Sequence, residues 1–254
     1  MSEAKGKYLY CVIKERMSKK FNFLGQGGGK VYTINQGGLA MVVSDSDIKE
    51  YLFIKEYLIS HQRVIEEVMK EGYDVLPVRF GTVSQNVQDI EGRILESKRD
   101  ELWETFKTVE GKVELGLRAF WKDMPVIFQE IVSENKSIQE AKKEAQRKSH
   151  QLAVAGVGEL IQKALDFKRE KEAEQLLGQL KEITSDFKER ELMRSAEPMK
   201  DSMILSSAFL VSKKNEKKFD KRAKALIEKH ETRIKFIYIG PIPPFNFVEL
   251  RLKI

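Results

Sequence analysis

Residues 25–29 (GQGGG), which a lysine follows, form the segment most similar to a phosphate-binding loop. The mononucleotide-binding pattern requires an earlier glycine and a Ser or Thr after the lysine, where this chain has Leu24 and Val31. The dinucleotide pattern requires its third glycine where the lysine stands. Both patterns fail, so we interpret residues 25–29 as a surface loop. The neighbouring Phe21 and Phe23 leave a partner-contact role open as the alternative.

His61 and Arg79 are the other residues that could do chemistry. His61 falls on the apolar face of a predicted helix, where it is either a general base or a core histidine bonded to a backbone carbonyl. No nucleophile stands at an identifiable spacing from it, which favours the core histidine. Arg79 alternates with apolar residues in a predicted strand and could receive an acidic group. An ion pair with a helix glutamate of the same chain is the favoured interpretation.

The sequence gives no indication of a metal or a cofactor, and we predict neither. Cys11 is the single cysteine, and His61, His150 and His230 lie far apart in the sequence. No Cys/His pair has the spacing of metal ligands. Cys11 alternates with strand residues, which is typical of a small core side chain.

Composition predicts a cytoplasmic protein without nucleic-acid or membrane partners. The 254 residues carry a net charge of +6, and 33% of them are charged, with Lys and Glu alternating along helical segments. The basic–glycine–aromatic signature of a base-stacking sheet is missing. No apolar run reaches the length of a membrane span, and the N-terminal residues lack the pattern of a secretory signal.

The first 110 residues predict an N-terminal α+β domain. Residues 7–14 are apolar on both faces, which is typical of a central strand. The Gly37-Gly38 pair predicts a hairpin turn. The predicted elements are, in order, a strand at 7–14, a loop at 16–30, strands at 31–34 and 39–43, capping side chains at 44–47, a helix from Tyr51 to Gly72, a strand at 75–83 and a helix at 87–108.

Residues 111–254 predict a second domain. Its predicted elements are a strand at 113–121, helices between about 123 and 190, strands at 192–198 and 203–211, a helix from Asn215 to Glu231 and a strand at 234–239. This order is that of a ferredoxin-like split unit with extra helices inserted in its first crossover. The predicted fold class is therefore α+β with two domains: residues 1–110, and residues 111–254 with a C-terminal tail.

Four phrases, taken together, resemble the gas vesicle protein F/L family. They are Tyr8-Leu9-Tyr10, His61-Gln62-Arg63-Val64, Leu76–Thr82 and Gly240–Val248. Each phrase alone is only a strand or turn pattern, but their order and separations are specific as a set. The resemblance extends from Tyr8 to Leu250, and the loop at 18–30 departs from it.

The resemblance implies a two-domain α+β protein whose C-terminal domain is a modified ferredoxin-like fold. It implies a minor accessory component of gas vesicles that binds the major shell subunit during assembly, at the gas-facing side of the wall. Other accessory proteins are further expected partners, and the family supplies no catalytic residues. The residues we name as candidate partner contacts are Phe21, Phe23, Arg79, Phe245 and Phe247.

Two functions from other classes remain as alternatives. One is a small-molecule enzyme that uses His61 and Arg79 in a cleft between the domains. The other is a nucleic-acid-binding ferredoxin-like module.

Overall fold

The structure is a computed structural model that describes residues 5–148, 151–189 and 202–252. Their contacts divide the chain into two compact units. Unit 1 comprises residues 1–114 and 240–254, and unit 2 comprises residues 115–239. The elements in chain order are β1 (Lys5–Lys14), β2 (Lys20–Leu24), β3 (Lys30–Gln36), β4 (Leu39–Asp47), α1 (Lys55–Lys70), β5 (Val75–Pro77), β6 (Val83–Ser84), a π-helical segment (Asp89–Glu96), α2 (Arg99–Val109), β7 (Lys112–Trp121), α3 (Met124–Glu134), α4 (Lys136–Lys148), α5 (Gln151–Lys181), β8 (Asp186–Glu189), β9 (Met203–Ser212), α6 (Glu216–His230) and β10 (Ile234–Ile242).

Strand β1 lies inside the sheet of unit 1, as its two apolar faces predict. Among the described residues the strand order is β2-β3-β4-β1-β5, and β6 also pairs with β1. β1 and β4 are antiparallel over the full length of β1, from Lys5 opposite Asp47 to Lys14 opposite Leu39. Cys11 is completely buried in this central strand, between its partners on β4 and β5.

The β3–β4 hairpin turns at Gly37 and Gly38, as predicted. Both glycines have positive φ, +59° and +85°, which a two-residue hairpin turn of this hand requires and which glycine adopts without strain. Gln36 and Leu39 pair directly across the turn. The α+β class is confirmed.

Five predicted assignments in unit 1 are wrong. Residues 16–30 contain β2 and a 3₁₀ turn at Gln26–Gly28 rather than only a loop, because Phe21 is buried against the core. Residues 44–47 continue β4 instead of capping a helix, and α1 begins at Lys55. The strand predicted at 75–83 is broken by a turn around Gly81, and the helix at 87–108 is divided into a π-helical segment and α2.

The described elements of unit 2 follow the predicted order along the chain, but its second strand, β8, lies at Asp186–Glu189 in residues predicted as helix. The described strands form a sheet in the order β10-β7-β9-β8. Helices α3, α4 and α5 lie between β7 and β8 in the chain, and α6 lies between β9 and β10. This is the order of a ferredoxin-like split unit with an enlarged first crossover. The helices predicted to extend to about residue 190 end earlier, at Lys181, since Phe187 lies in β8 and packs on Phe209.

A polar network fixes helices α3 and α5 to the sheet of unit 2. The guanidinium of Arg233 donates to both oxygens of Glu130 at 2.5 and 2.7 Å and to Glu172 at 3.0 Å. Glu172 also accepts from the indole of Trp121 at 2.7 Å. The Arg233 guanidinium lowers the pKa of Glu130 to about 2, and Lys168 contributes to the same shift.

The predicted division into residues 1–110 and 111–254 stays a prediction. The contact grouping differs from it in two respects, because the first boundary lies after residue 114 and residues 240–254 belong with unit 1. Leu250 lies beside Val78 in a parallel bridge, and its amide donates to the Pro77 carbonyl at 2.8 Å. Asn246 binds the carboxylate of Glu114 through its backbone and side-chain amides. The strand predicted at 192–198 and His150 lie outside the described residues.

Candidate functional site

Tyr8, His61 and the turn after β5 form one buried hydrogen-bonded group in unit 1. His61 lies on α1 and Tyr8 lies on β1. His61 Nε2 is 3.2 Å from the carbonyl of Val78, and His61 Nδ1 is 3.1 Å from the Tyr8 hydroxyl. A carbonyl only accepts, so Nε2 carries the proton and the Tyr8 hydroxyl donates to Nδ1. The Tyr8 oxygen in turn accepts from the amide of Gly81 at 3.0 Å.

Burial determines the charge state of His61. Desolvation lowers the pKa of His61 to about 4, because a charged imidazolium is unfavourable in a buried site. The ring is therefore neutral at pH 7, with both nitrogens engaged inside the protein. The prediction of a core histidine bonded to a backbone carbonyl is confirmed, and a general base would need the same nitrogens free.

Tyr10 connects the glycine-rich loop to the same core. Its hydroxyl accepts from the amide of Gln26 at 2.6 Å and lies 2.8 Å from Ser44 Oγ. The side-chain amide of Gln26 donates to the carbonyl of Tyr57 at 2.6 Å. Burial raises the pKa of Tyr10 to about 12, so the hydroxyl stays protonated at neutral pH.

The amides of residues 25–29 are largely used within unit 1. The Gly25 amide donates to the Gly29 carbonyl at 2.8 Å, and the amides of Gly28 and Gly29 donate to Gly25 and Gln26. A phosphate cradle needs such amides pointing at a ligand. The loop instead covers the Tyr10 hydroxyl, and a Cβ atom at Gly25 would lie only 2.2 Å from that oxygen.

An exposed apolar segment follows β4 and precedes α1. Leu52, Phe53 and Ile54 are 66%, 71% and 42% exposed although they are consecutive large hydrophobic residues. The ring of Phe53 packs on the ring of Phe80, with centroids 5.1 Å apart. Apolar side chains that stand together in solvent mark interaction sites more often than isolated ones do.

Phe53 and Phe80 line a groove of about 530 Å³, which we call the Phe53 groove. One wall is the segment before α1, and the other is the turn after β5 together with the C-terminal segment. Its lining residues are Glu50, Tyr51, Phe53, Arg79, Phe80, Gly81, Thr82, Val83, Arg251 and Leu252. Arg79 is exposed and forms no ion pair with the described part of the chain, so the predicted pairing with a helix glutamate is absent there.

The buried group fixes both walls of the Phe53 groove. Gly81 has a φ of +79°, which glycine adopts without strain, and its amide donates to the Tyr8 hydroxyl. The Tyr51 hydroxyl lies 2.6 Å from Ser46 Oγ on β4. Phe80 packs edge-on against His61, with centroids 5.7 Å apart. The groove is therefore built on a rigid support.

Comparison with known proteins places this arrangement in a family. Residues 6–249 match the family described as gas vesicle synthesis protein GvpL/GvpF. The chain belongs to the GvpL/GvpF family. Its relatives include gas vesicle protein F of Nostoc sp., 25% identical over 247 residues that cover 96% of this chain and 98% of the relative. Gas vesicle protein L1 of Halobacterium salinarum is 25% identical over 261 residues, covering 95% and 90%.

Solved GvpF structures share the fold. The crystal structure of gas vesicle protein GvpF from Anabaena has a TM-score of 0.83 at 24% identity, covering 98% of this chain and 100% of that chain. GvpF from Microcystis aeruginosa has a TM-score of 0.80 at 23% identity, covering 96% and 99%. The relatives are named as gas vesicle proteins, which supports a gas vesicle accessory role for this member.

In this GvpL/GvpF protein, three of the phrases behind the resemblance meet at His61. Tyr8 comes from the first phrase, His61 from the second, and Val78 and Gly81 from the third. The fourth phrase places Phe245 against the same core. Residues of the first three phrases therefore support the walls of the Phe53 groove.

The five candidate contact residues have different surroundings. Arg79 lines the Phe53 groove. Phe21 is buried and packs on Phe23 in β2, with centroids 5.1 Å apart, and Phe245 packs on the core of unit 1. Phe247 is half-buried. The structure brings none of the four phenylalanines to the groove, and their partner contacts stay predictions.

Sequence reasoning missed Phe53 and Leu52. Both residues lie inside the helix predicted from Tyr51 to Gly72. Within a helix they appear as part of an amphipathic pattern and not as a separate exposed segment. A usable signal was the run Tyr51-Leu52-Phe53-Ile54, because four consecutive apolar residues cannot all face the core from one helix.

In residues 5–148, 151–189 and 202–252, no acidic, His or Cys cluster could hold a metal, and no helix is long and apolar enough for a bilayer.

Proposed function

We propose that this protein is a minor accessory component of gas vesicles that binds the major shell subunit through the Phe53 groove. It acts in the cytoplasm during assembly of the vesicle and remains at the gas-facing side of the wall. The observation that carries this proposal is the exposure of Leu52, Phe53 and Ile54 beside an open groove.

A gas-filled compartment explains why such a surface is useful. The wall must keep liquid water out, so its inner surface has to be apolar, and an unassembled shell subunit exposes that surface to solvent. Exposed apolar area is unfavourable by about 25 cal/mol per Å². A partner with exposed apolar side chains beside an open groove, and with a charged exterior, would cover part of that area before assembly.

The rigid support of the groove favours binding. Loops that must order on association lose free energy, whereas a preformed site avoids that loss. Here Tyr8 holds Gly81 and Ser46 holds Tyr51, so both walls are in place before a partner arrives. Phe53 and Phe80 then offer two aromatic rings, the residue type that dominates binding hot spots.

Binding of purified full-length protein to purified shell subunit tests the proposal. The variant Phe53→Ser should weaken binding by about tenfold or more, the loss typical of a hot-spot residue. Phe167→Ser in unit 2 is the matched control, because Phe167 is 68% exposed and Phe53 is 71% exposed. Its binding should stay within about twofold of wild type.

Two results would remove the proposal. One is the absence of any measurable interaction between the wild-type chain and the shell subunit. The other is an equal loss of affinity for both phenylalanine variants, which would indicate nonspecific hydrophobic binding by any exposed aromatic residue. The gas-facing position has its own test: proteolysis of the chain in intact vesicles should begin only after the vesicles are collapsed by pressure.

A further inference from the structure

Helix α6 presents a lysine-rich face that the proposed function does not use. Lys217, Lys218, Lys221 and Lys224 are all exposed. We call these residues the α6 lysine face. Within the described part of the chain none of them forms an ion pair. Phe219, Ala223 and Leu226 on the opposite side of the helix are buried against unit 2, so the lysines point outward.

The acidic residues near this face do not neutralise it. Glu216 lies in the first turn and Glu228 near the last turn, and neither is within ion-pair distance of the four lysines. Asp220 is bonded to the hydroxyl of Tyr238. Arg222 pairs with Glu182 at 3.0 Å and is only partly exposed, and the other basic residues of α6, Lys229 and His230, lie in its last turn.

The arrangement is unfavourable for the helix itself. Lys217 and Lys221 are four residues apart, and Lys221 is three residues from both Lys218 and Lys224, spacings at which like charges destabilise a helix. Lys217 and Lys218 also lie in the first turn, where the helix dipole disfavours cations. A face that served only solubility would gain from mixed charges at these positions. The free chain therefore retains repulsion between these lysines, and binding of a negatively charged partner would reduce that repulsion.

We infer that the α6 lysine face binds an acidic protein surface whose carboxylates extend over about 11 Å, the axial rise from Lys217 to Lys224. The ammonium groups are point charges suited to single carboxylates. The face carries no aromatic side chain for base stacking and no arginine fork for phosphate, the groups on which single-strand nucleic-acid sites rely. An acidic protein is therefore favoured over a nucleic acid. This surface is independent of shell binding by the Phe53 groove.

Labelled poly-L-glutamate is the probe for the first experiment. Binding to the full chain should be measured by fluorescence anisotropy from about 50 to about 200 mM salt, a range over which exposed charges become more strongly screened. The variant with Lys217→Gln, Lys218→Gln, Lys221→Gln and Lys224→Gln should bind about tenfold more weakly. The control variant with Lys20→Gln, Lys30→Gln, Lys55→Gln and Lys142→Gln changes the net charge equally at scattered exposed sites, and should lose less than about threefold.

Thermal unfolding and cross-linking complete the test. The α6 variant should melt about 2 °C or more above wild type, because three like-charge pairs are removed. Carbodiimide, which joins amines to carboxylates, should link the α6 lysines to poly-L-glutamate. Equal weakening of both variants would assign binding to net charge alone and overturn the inference. So would a lower melting temperature of the α6 variant, or tighter binding of a single-stranded RNA of equal charge.

Discussion

The neutral state of His61 predicts a specific pH dependence for the stability of unit 1. In the unfolded chain an imidazole takes up a proton near pH 6.5, whereas in the folded protein His61 does so only at about pH 4. Between these values the unfolded state binds more protons, so stability falls as the pH decreases. From pH 7.5 to pH 5.0 the two pKa values give a loss of about 2 kcal/mol in the free energy of unfolding.

Urea unfolding at a series of pH values measures this loss. Trp103 lies in unit 1 and Trp121 in unit 2, so a Trp121→Phe background leaves Trp103 fluorescence as the reporter of unit 1. In that background His61→Gln should remove the pH slope while lowering stability at pH 7.5. His230→Gln is the control, because His230 lies at the end of α6 in unit 2, and its unit 1 slope should equal that of wild type.

One result would refute the assignment of this pH dependence to His61. If the His61→Gln protein loses as much stability between pH 7.5 and 5.0 as the wild type, His61 is not the titrating group. Proton NMR gives the same answer directly, since a His61 ring resonance that titrates near pH 6.5 would mean that the imidazole reaches solvent.

Three further substitutions test other parts of the structure. Gly25→Ala should destabilise the protein by about 2–3 kcal/mol in denaturant unfolding, because the added methyl group overlaps the Tyr10 hydroxyl. Glu130→Gln should lower stability by about 1 kcal/mol at pH 7, since its pair with Arg233 is partly exposed to solvent. The Glu130 pKa is depressed to about 2, so this difference should be present above about pH 4.5 and vanish as the pH falls towards 2. Ser207→Ala should raise the melting temperature, because the buried Ser207 hydroxyl lacks a hydrogen-bond partner within the described residues; a drop would indicate a bound partner for that oxygen.

Local sequence patterns were sufficient to predict the structure of segments whose conformation depends mainly on their own residues. The Gly37-Gly38 turn and the central position of β1 were predictable because turn chemistry and periodicity encode them. The role of His61 was predictable as well, since its apolar helix face implies burial.

Predictions failed where contacts with segments distant in the sequence determine the local structure. Phe21 forms a strand because the core of unit 1 covers it, and nothing within residues 16–30 signals that contact. Phe53 lies in the segment between the end of β4 at Asp47 and the start of α1 at Lys55, where it is exposed to solvent. The Phe53 groove could not be predicted for the same reason, since its walls come from the segments around Tyr51, Gly81 and Leu252.

The burial of Cys11 has a practical consequence. It is the only thiol in the chain, it is fully enclosed in β1, and burial raises its pKa far above the usual range, so alkylating reagents reach it only when unit 1 opens. A cysteine engineered at position 53 or 217 would therefore accept a fluorophore or spin label alone in the native state. The rate at which an alkylating reagent modifies Cys11 itself, followed by mass spectrometry, would report transient opening of the central sheet without any substitution in the chain.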